Sequence, residues 1–119
     1  MAKTAICIDF DGVLHINGAP VPGMARWCRQ ASALYRLICS SARFVKPDQI
    51  EYARDFLQAH DFPEMDLSWG KPLALWYIDD RAIAFQGPNT LPSPTTLLTR
   101  PVWYESNQST KRTFKGTSQ

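Results

Sequence analysis

The chain has 119 residues, 45% of them hydrophobic and 20% charged, with a net charge of +2. That length suits one compact domain, the balance of residue types excludes a generally disordered chain, and so small a charge is no argument for nucleic-acid binding. The charge is uneven, however: from Arg100 onward, Arg100, Lys111, Arg112 and Lys115 face only Glu105, which reads as a solvated basic tail.

A first strand is predicted over about 4–9, where Ile6, Cys7 and Ile8 are apolar on consecutive positions, as in a strand buried on both faces. Residues 12–22 read as an irregular segment punctuated by Gly12, Gly18, Pro20 and Pro22. A helix is predicted from Pro22-Gly23, because Met24, Trp27, Cys28, Ala31 and Leu34 recur at helical spacing. A short strand, Leu37 to Ser40, and a loop, Ser41 to Arg43, come next. A second helix follows over about 47–60, with Pro47 in its first turn and Ile50, Ala53 and Leu57 as the buried stripe.

A short strand is expected around Met65 to Ser68, and a clear one at Leu75 to Ile78. Beyond Gly87 the prolines at 88, 92 and 94 predict wandering chain, and Val102 to Tyr104 is expected either as an edge strand or as packing on the core. The domain reading is one core domain over 1–104 and a polar, mobile tail over 105–119. The first apolar run is too short for a signal peptide, and no stretch reaches the roughly 20 apolar residues of a membrane span. Cys7, Cys28 and Cys39 are odd in number and lack metal-ligand spacing, so reduced thiols in a cytoplasmic protein with no membrane partner are expected.

Strands alternating with helices imply right-handed crossovers and an α/β fold: a three-layer Rossmann-like parallel sheet with helices on both faces. Ligands bind such sheets at the C-terminal strand ends. Asp9 and Asp11, Ser40 and Ser41, and Asp79 and Asp80 all fall at those ends. Carboxylates two apart at the end of a buried strand repel each other and resist desolvation, so a hard cation or a phosphoryl-transfer site is expected to compensate.

DFDGV at 9–13, SAR at 41–43 and KPLALWYIDD at 71–80 resemble, in order, the motifs of the haloacid dehalogenase-like hydrolases. The nearest likeness is to the small cap-less phosphatase-type members, and it covers residues 6–81, about two thirds of the chain. The resemblance implies Mg²⁺-dependent phosphoryl transfer. Asp9 would be the nucleophile that forms an aspartyl-phosphate, and Asp11 the general acid and base. The metal would be bound by Asp9 and Asp79, by Asp11 through its backbone carbonyl, and by Asp80 directly or through water. Ser41 would hydrogen-bond the phosphate, with Ser40 as the alternative one register away.

Lys71, eight positions before Asp79, matches the family's lysine. Were 71–79 one extended strand, the two would lie about 26 Å apart at about 3.3 Å per residue. The role therefore requires Gly70 to Ala74 to turn back, and Lys46 is the physical alternative. The gaps between motifs, each about thirty residues, leave no room for a cap domain.

A calcium loop is the competing reading of Asp9 and Asp11, but Val13 and Pro20 stand where an EF-hand needs its third ligand and its glutamate. His15 and His60 have no ligand spacing and are expected at the surface. Trp27 and Trp76 are expected in the core, as are Trp69 and Trp103, with substrate stacking as the alternative for the latter two. Arg43 and Arg81 read equally as ion-pair partners or substrate contacts. The expected function is a phosphatase acting on a phosphorylated small molecule or macromolecule, its open site either accepting a large substrate or covered by a neighbouring subunit. The alternatives are a nucleotide or polynucleotide 3′-phosphatase and a non-catalytic binding or regulatory module.

Overall fold

The computed structural model describes residues 3–105. They form two units, the first ending at Asp79 and the second opening at Asp80. The first unit is built on a parallel sheet of four strands: β1 (Ala5–Asp9), β4 (Arg36–Ser40), β5 (Asp66–Ser68) and β6 (Trp76–Ile78), in the order β5-β4-β1-β6. The strands predicted up to Ile78 are all present, including the short one around Met65 to Ser68. β1 is flanked on both sides and four of its five residues are buried, which explains its unbroken apolar sequence.

Two helices connect these strands. α1 (Met24–Ala31) starts after Gly23, whose φ of 88° is left-handed and suits glycine, and it buries Cys28 and Ala31. α2 (Pro47–Ala59) carries Pro47 in its first turn and buries Ala53, Phe56 and Leu57, with Ile50 partly covered. Both helices share one apolar cluster with Ile6, Ile8, Leu37 and Cys39. Strand alternation and the pairings Ile6↔Leu37 and Ile8↔Cys39 place those four side chains on one sheet face. The expectation of helices on both faces is therefore not met among the described residues. The physical reason is topological: β1 to β4 and β4 to β5 step in the same direction, so right-handed crossovers put both helices on the same side.

The segment read as irregular after β1 contains a small hairpin, β2 (His15–Ile16) and β3 (Ala19–Pro20). Its turn is Asn17-Gly18, with φ of 50° and 83°, as a two-residue turn with both central residues left-handed requires. In the second unit Val102 is buried, but residues 102–104 form no strand, and Trp103 is 62% exposed. The unit's regular structure among the described residues is two 3₁₀ turns, Pro88–Thr90 and Thr96–Thr99. The tail expected to be mobile lies, from residue 106, outside the described residues. No helix among the described residues is long and apolar enough to cross a membrane.

Two tryptophans expected in the core are not there: Trp27 is 40% exposed and Trp76 is 64% exposed. Trp27 sits beside the Cys28 and Ala31 stripe of an eight-residue helix, and β6 is an edge strand away from the β1, β4 and β5 crossovers that carry the helices. Trp69, at 66% exposure, is likewise outside the core. The three thiols are buried and free. Burial pushes the Cys28 thiol up to about 11 and that of Cys39 well above its ordinary value, helped there by the charge of Asp9.

Leu37, 3% exposed, and Leu34, 70% exposed, separate the packed face from the surface. Leu37→Ala is expected to lower unfolding stability by about 2–5 kcal/mol. Leu34→Ala should change it by no more than about 0.5 kcal/mol. Urea midpoints at unchanged slope are the measurement.

Candidate active site

Parallel register decides where the acids meet. Asp9 pairs with Ser40, and Ile8 pairs with Ile78, so β1, β4 and β6 end level and Asp79 follows directly beside Asp9. The strand order reverses between these two strands: chain order runs outward from β1 through β4 to β5, then returns to β6 on the other side of β1. Such a switch point opens a crevice at the C-terminal strand ends. Asp9 and Asp79 each offer a carboxylate oxygen, within 4.8 Å of each other.

Asp79 has a cationic partner. Lys71 Nζ lies 3.3 Å from its Oδ2, with the lysine side chain 55% exposed and that of Asp79 22% exposed. The long extended path between them does not exist, because β6 is short and the chain folds back before it. Gly70, at a φ of 87°, makes the reversal, and the Tyr77 hydroxyl clips the loop by donating to the Pro72 carbonyl at 2.6 Å and accepting from the Ala74 amide at 3.1 Å. Lys71 Nζ also stands 5.5 Å from the centre of the Tyr77 ring. Lys71 is brought to the acids, whereas Lys46 stands at the N-cap of α2, where its carbonyl accepts from the Gln49 and Ile50 amides.

Asp11 stands in a separate polar network. A tight turn follows β1: the Leu14 and His15 amides donate to the Phe10 carbonyl and the Gly12 amide donates to the His15 carbonyl. That turn folds His15 back over Phe10, with ring centres 4.6 Å apart and nearly parallel. His15 Nδ1 lies 3.1 Å from Asp11 Oδ1, and its Nε2 lies 2.9 Å from the Tyr52 hydroxyl. Arg43 reaches both oxygens of the same carboxylate, with Nη2 2.6 Å from Oδ1 and Nε 2.9 Å from Oδ2. Its remaining nitrogen donates to Gln49 at 3.0 Å, and the guanidinium lies near the Phe10 and Tyr52 rings.

The two serines differ. Ser41, buried, accepts from the Arg43 amide at 3.2 Å and donates to Asp11 Oδ2 at 3.4 Å, whereas Ser40 accepts from the Cys7 thiol at 3.3 Å. Ser41 therefore faces the acids and Ser40 faces the sheet. Of the residues the resemblance names, Asp9, Asp11, Ser41, Lys71 and Asp79 lie around the C-terminal ends of β1, β4 and β6, and Asp80 opens the second unit. Arg43 stands in an ion pair with Asp11, one of its two sequence readings.

His15 corrects the sequence expectation. It is 5% exposed rather than a surface residue, because the turn after β1 returns it to the core between Phe10, Tyr52 and Phe56. The signal that could have found it is its place four residues after Asp11 together with the Asn17-Gly18 turn that reverses the chain behind it. Burial pulls the imidazole below its ordinary value, and the Arg43 charge acts in the same direction; Asp11 opposes both without prevailing. A hollow of the first unit along Leu57, Phe62 and Met65 takes in none of the predicted site residues.

A divalent oxygen-liganded cation suits the acids. Both Asp80 oxygens are buried with no hydrogen-bond partner among the described residues, and an uncompensated buried carboxylate is costly. A hard cation held by Asp9 and Asp79 would offset their crowded charge, and magnesium needs only one or two carboxylates with water completing its shell. No family model, no curated protein and no solved structure matches the chain at a significant level.

The buried imidazole makes a pH prediction. Its folded pKa lies below the ordinary 6.5, so the unfolded chain takes up the proton first. The stability that His15 contributes as a neutral group is present above that value and is lost as pH falls through its folded pKa. Urea midpoints taken from about pH 8 down to about pH 5 should show the decline, and His15→Asn should remove that part of the slope.

Proposed function

We propose that the protein is a cap-less, Mg²⁺-dependent phosphatase of the haloacid dehalogenase type, with a Rossmann-like core and Asp9 as nucleophile. The observation that carries this reading is the meeting of Asp9 and Asp79 at the switch point of a parallel sheet, with Lys71 folded back against Asp79.

An Asp9 carboxylate oxygen attacks phosphorus, the bond to the leaving oxygen breaks, and the electron pair goes to that oxygen, which takes a proton from Asp11. In the second step a water gives a proton back to Asp11 as its oxygen bonds to phosphorus. The Asp9 oxygen-to-phosphorus bond then breaks and the carboxylate is restored. Splitting the hydrolysis in this way replaces one hard displacement with two easier ones.

Lys71 and the Ser41 hydroxyl are the groups that would hold the phosphoryl oxygens in line with Asp9. Asp9, Asp79, Asp80 and the Asp11 backbone carbonyl would hold the cation. When bound, the cation supplies charge neutralisation for the crowded acids and the transferring phosphoryl group.

A 3′-phosphorylated nucleotide or polynucleotide is favoured as a substrate class by one specific feature: Trp69, two residues before Lys71, is 66% exposed and offers a flat surface for a base. Equal turnover of a 3′-phosphorylated oligonucleotide and a small phosphate ester would remove that version. A binding module without catalysis is favoured by the grip of Arg43 on both Asp11 oxygens. Robust metal-dependent turnover would dispose of it.

The chemistry is tested by hydrolysis of an aryl phosphate with Mg²⁺ and with EDTA. Turnover is expected to need the metal and to fall to background in Asp9→Asn with the fold intact by circular dichroism. Full activity in that variant, or in EDTA, overturns the proposal. Tyr77→Phe should loosen the clip that holds Lys71. The expected effect is a loss of about 1 kcal/mol of binding, roughly a fivefold rise in KM at nearly constant kcat.

A further inference from the structure

We infer that His15 is the positioning residue for Asp11 and that it settles which carboxylate oxygen handles the proton; this rests on the phosphatase reading of Asp11 given above. A carboxylate oxygen has two lone pairs. Oδ1 uses both, accepting from Arg43 Nη2 at 2.6 Å and from His15 Nδ1 at 3.1 Å. Oδ2 accepts from Arg43 Nε at 2.9 Å, and among the described residues its second lone pair is met only by the Ser41 hydroxyl at 3.4 Å. That contact is long, and a hydroxyl can turn to accept instead of donate. Proton transfer therefore runs through Oδ2. In the first step the proton leaves Oδ2 for the leaving oxygen, and in the second Oδ2 receives one from water.

The imidazole is itself held on every side. Asp11 accepts at Nδ1, so the ring proton sits on Nδ1, and Nε2 accepts from the Tyr52 hydroxyl at 2.9 Å. Phe10 stacks on one face at 4.6 Å, and Phe56 stands at 4.8 Å with its plane steeply inclined. With both nitrogens engaged, the ring holds the carboxylate orientation without touching the reacting atoms. Arg43 alone would leave one lone pair of Oδ1 available and so two competing proton positions.

Two nearly isosteric variants separate this role from packing. His15→Asn keeps an N–H near the place of Nδ1, and so the bond to Asp11. His15→Gln places its amide near Nε2, keeping a Tyr52 partner and losing the bond to Asp11. The readout is alcohol release in a single turnover with Mg²⁺, enzyme in excess, for an alkyl phosphate and an aryl phosphate. An alkoxide needs the proton from Asp11 to leave, whereas an aryl oxide leaves largely without it.

His15→Gln is expected to slow the alkyl ester by about tenfold or more while slowing the aryl ester far less. His15→Asn should restore most of the alkyl rate. Equal loss on both esters in both variants, or no loss in His15→Gln, overturns the role of His15 and leaves the phosphatase standing. A wild type inactive on both esters with Mg²⁺ overturns the phosphatase reading and this role with it. A measurement on the unmutated protein guards against variants that do not fold: ¹⁵N NMR of the histidines should find the His15 proton on Nδ1. A proton on Nε2 overturns the inference whatever the kinetics show.

Discussion

Crowded negative charge at the end of a buried sheet is the constraint on which the rest of this structure turns. The pairings that bury Ile6, Ile8 and Leu37 also fix β1, β4 and β6 to end level, so Asp9 and Asp79 cannot avoid each other. Sliding one strand by a residue would part the acids, but it would also turn every apolar side chain of that strand to the wrong face. The hydrophobic register thus enforces an electrostatic cost. Like charges at such short range favour any arrangement that brings a cation to them.

The chain meets that cost differently at each acid. Asp11 receives a fixed protein cation, Arg43, which is the second residue of the 3₁₀ turn Ala42–Val45 capped by Ser41 and is therefore well placed by backbone as well as by side-chain bonds. Asp79 receives Lys71, a flexible and half-exposed ammonium that can exchange one anionic partner for another. Asp80 has no hydrogen-bond partner for either oxygen among the described residues. A permanent pair at Asp11 and an exchangeable pair at Asp79 give the first unit one acid held in a fixed orientation and one whose lysine is open to exchange.

Much of this was legible in the sequence, for reasons that differ by element. β1 is readable because a strand buried on both faces has no polar alternation to confuse it, and its abrupt change to acids marks the C-terminal end. α2 is readable from Pro47 and the Ala53 and Leu57 stripe. Trp76 was misread because an aromatic residue in an apolar run looks the same on a central strand and on an edge, and only the strand order distinguishes them. His15 was misread because burial there comes from a turn: its nearness to Asp11 depends on three amides bonding across Gly12, which no periodicity records. Alternation of strand and helix fixes handedness but not the direction of each step along the sheet, so the sequence leaves open whether the helices share one face.

Turn chemistry, more than strand or helix chemistry, therefore decides what this strand edge can do. The strands bring carboxylates together and would do so with many sequences of the same apolar pattern. The character of the site depends on two short reversals whose stereochemistry is local: the turn around Gly12, with a φ of 88°, and the one at Gly70, with a φ of 87°. The first returns a neutral imidazole to Asp11, and the second returns an ammonium to Asp79. A side chain at either glycine would have to adopt a backbone conformation that costs an L-residue about 1–2 kcal/mol. At Gly70 no atom lies within 4 Å of an added Cβ, so the constraint there is conformational rather than steric. Each glycine thus controls a polar contact that it does not itself make, by deciding whether His15 or Lys71 reaches its acid at all.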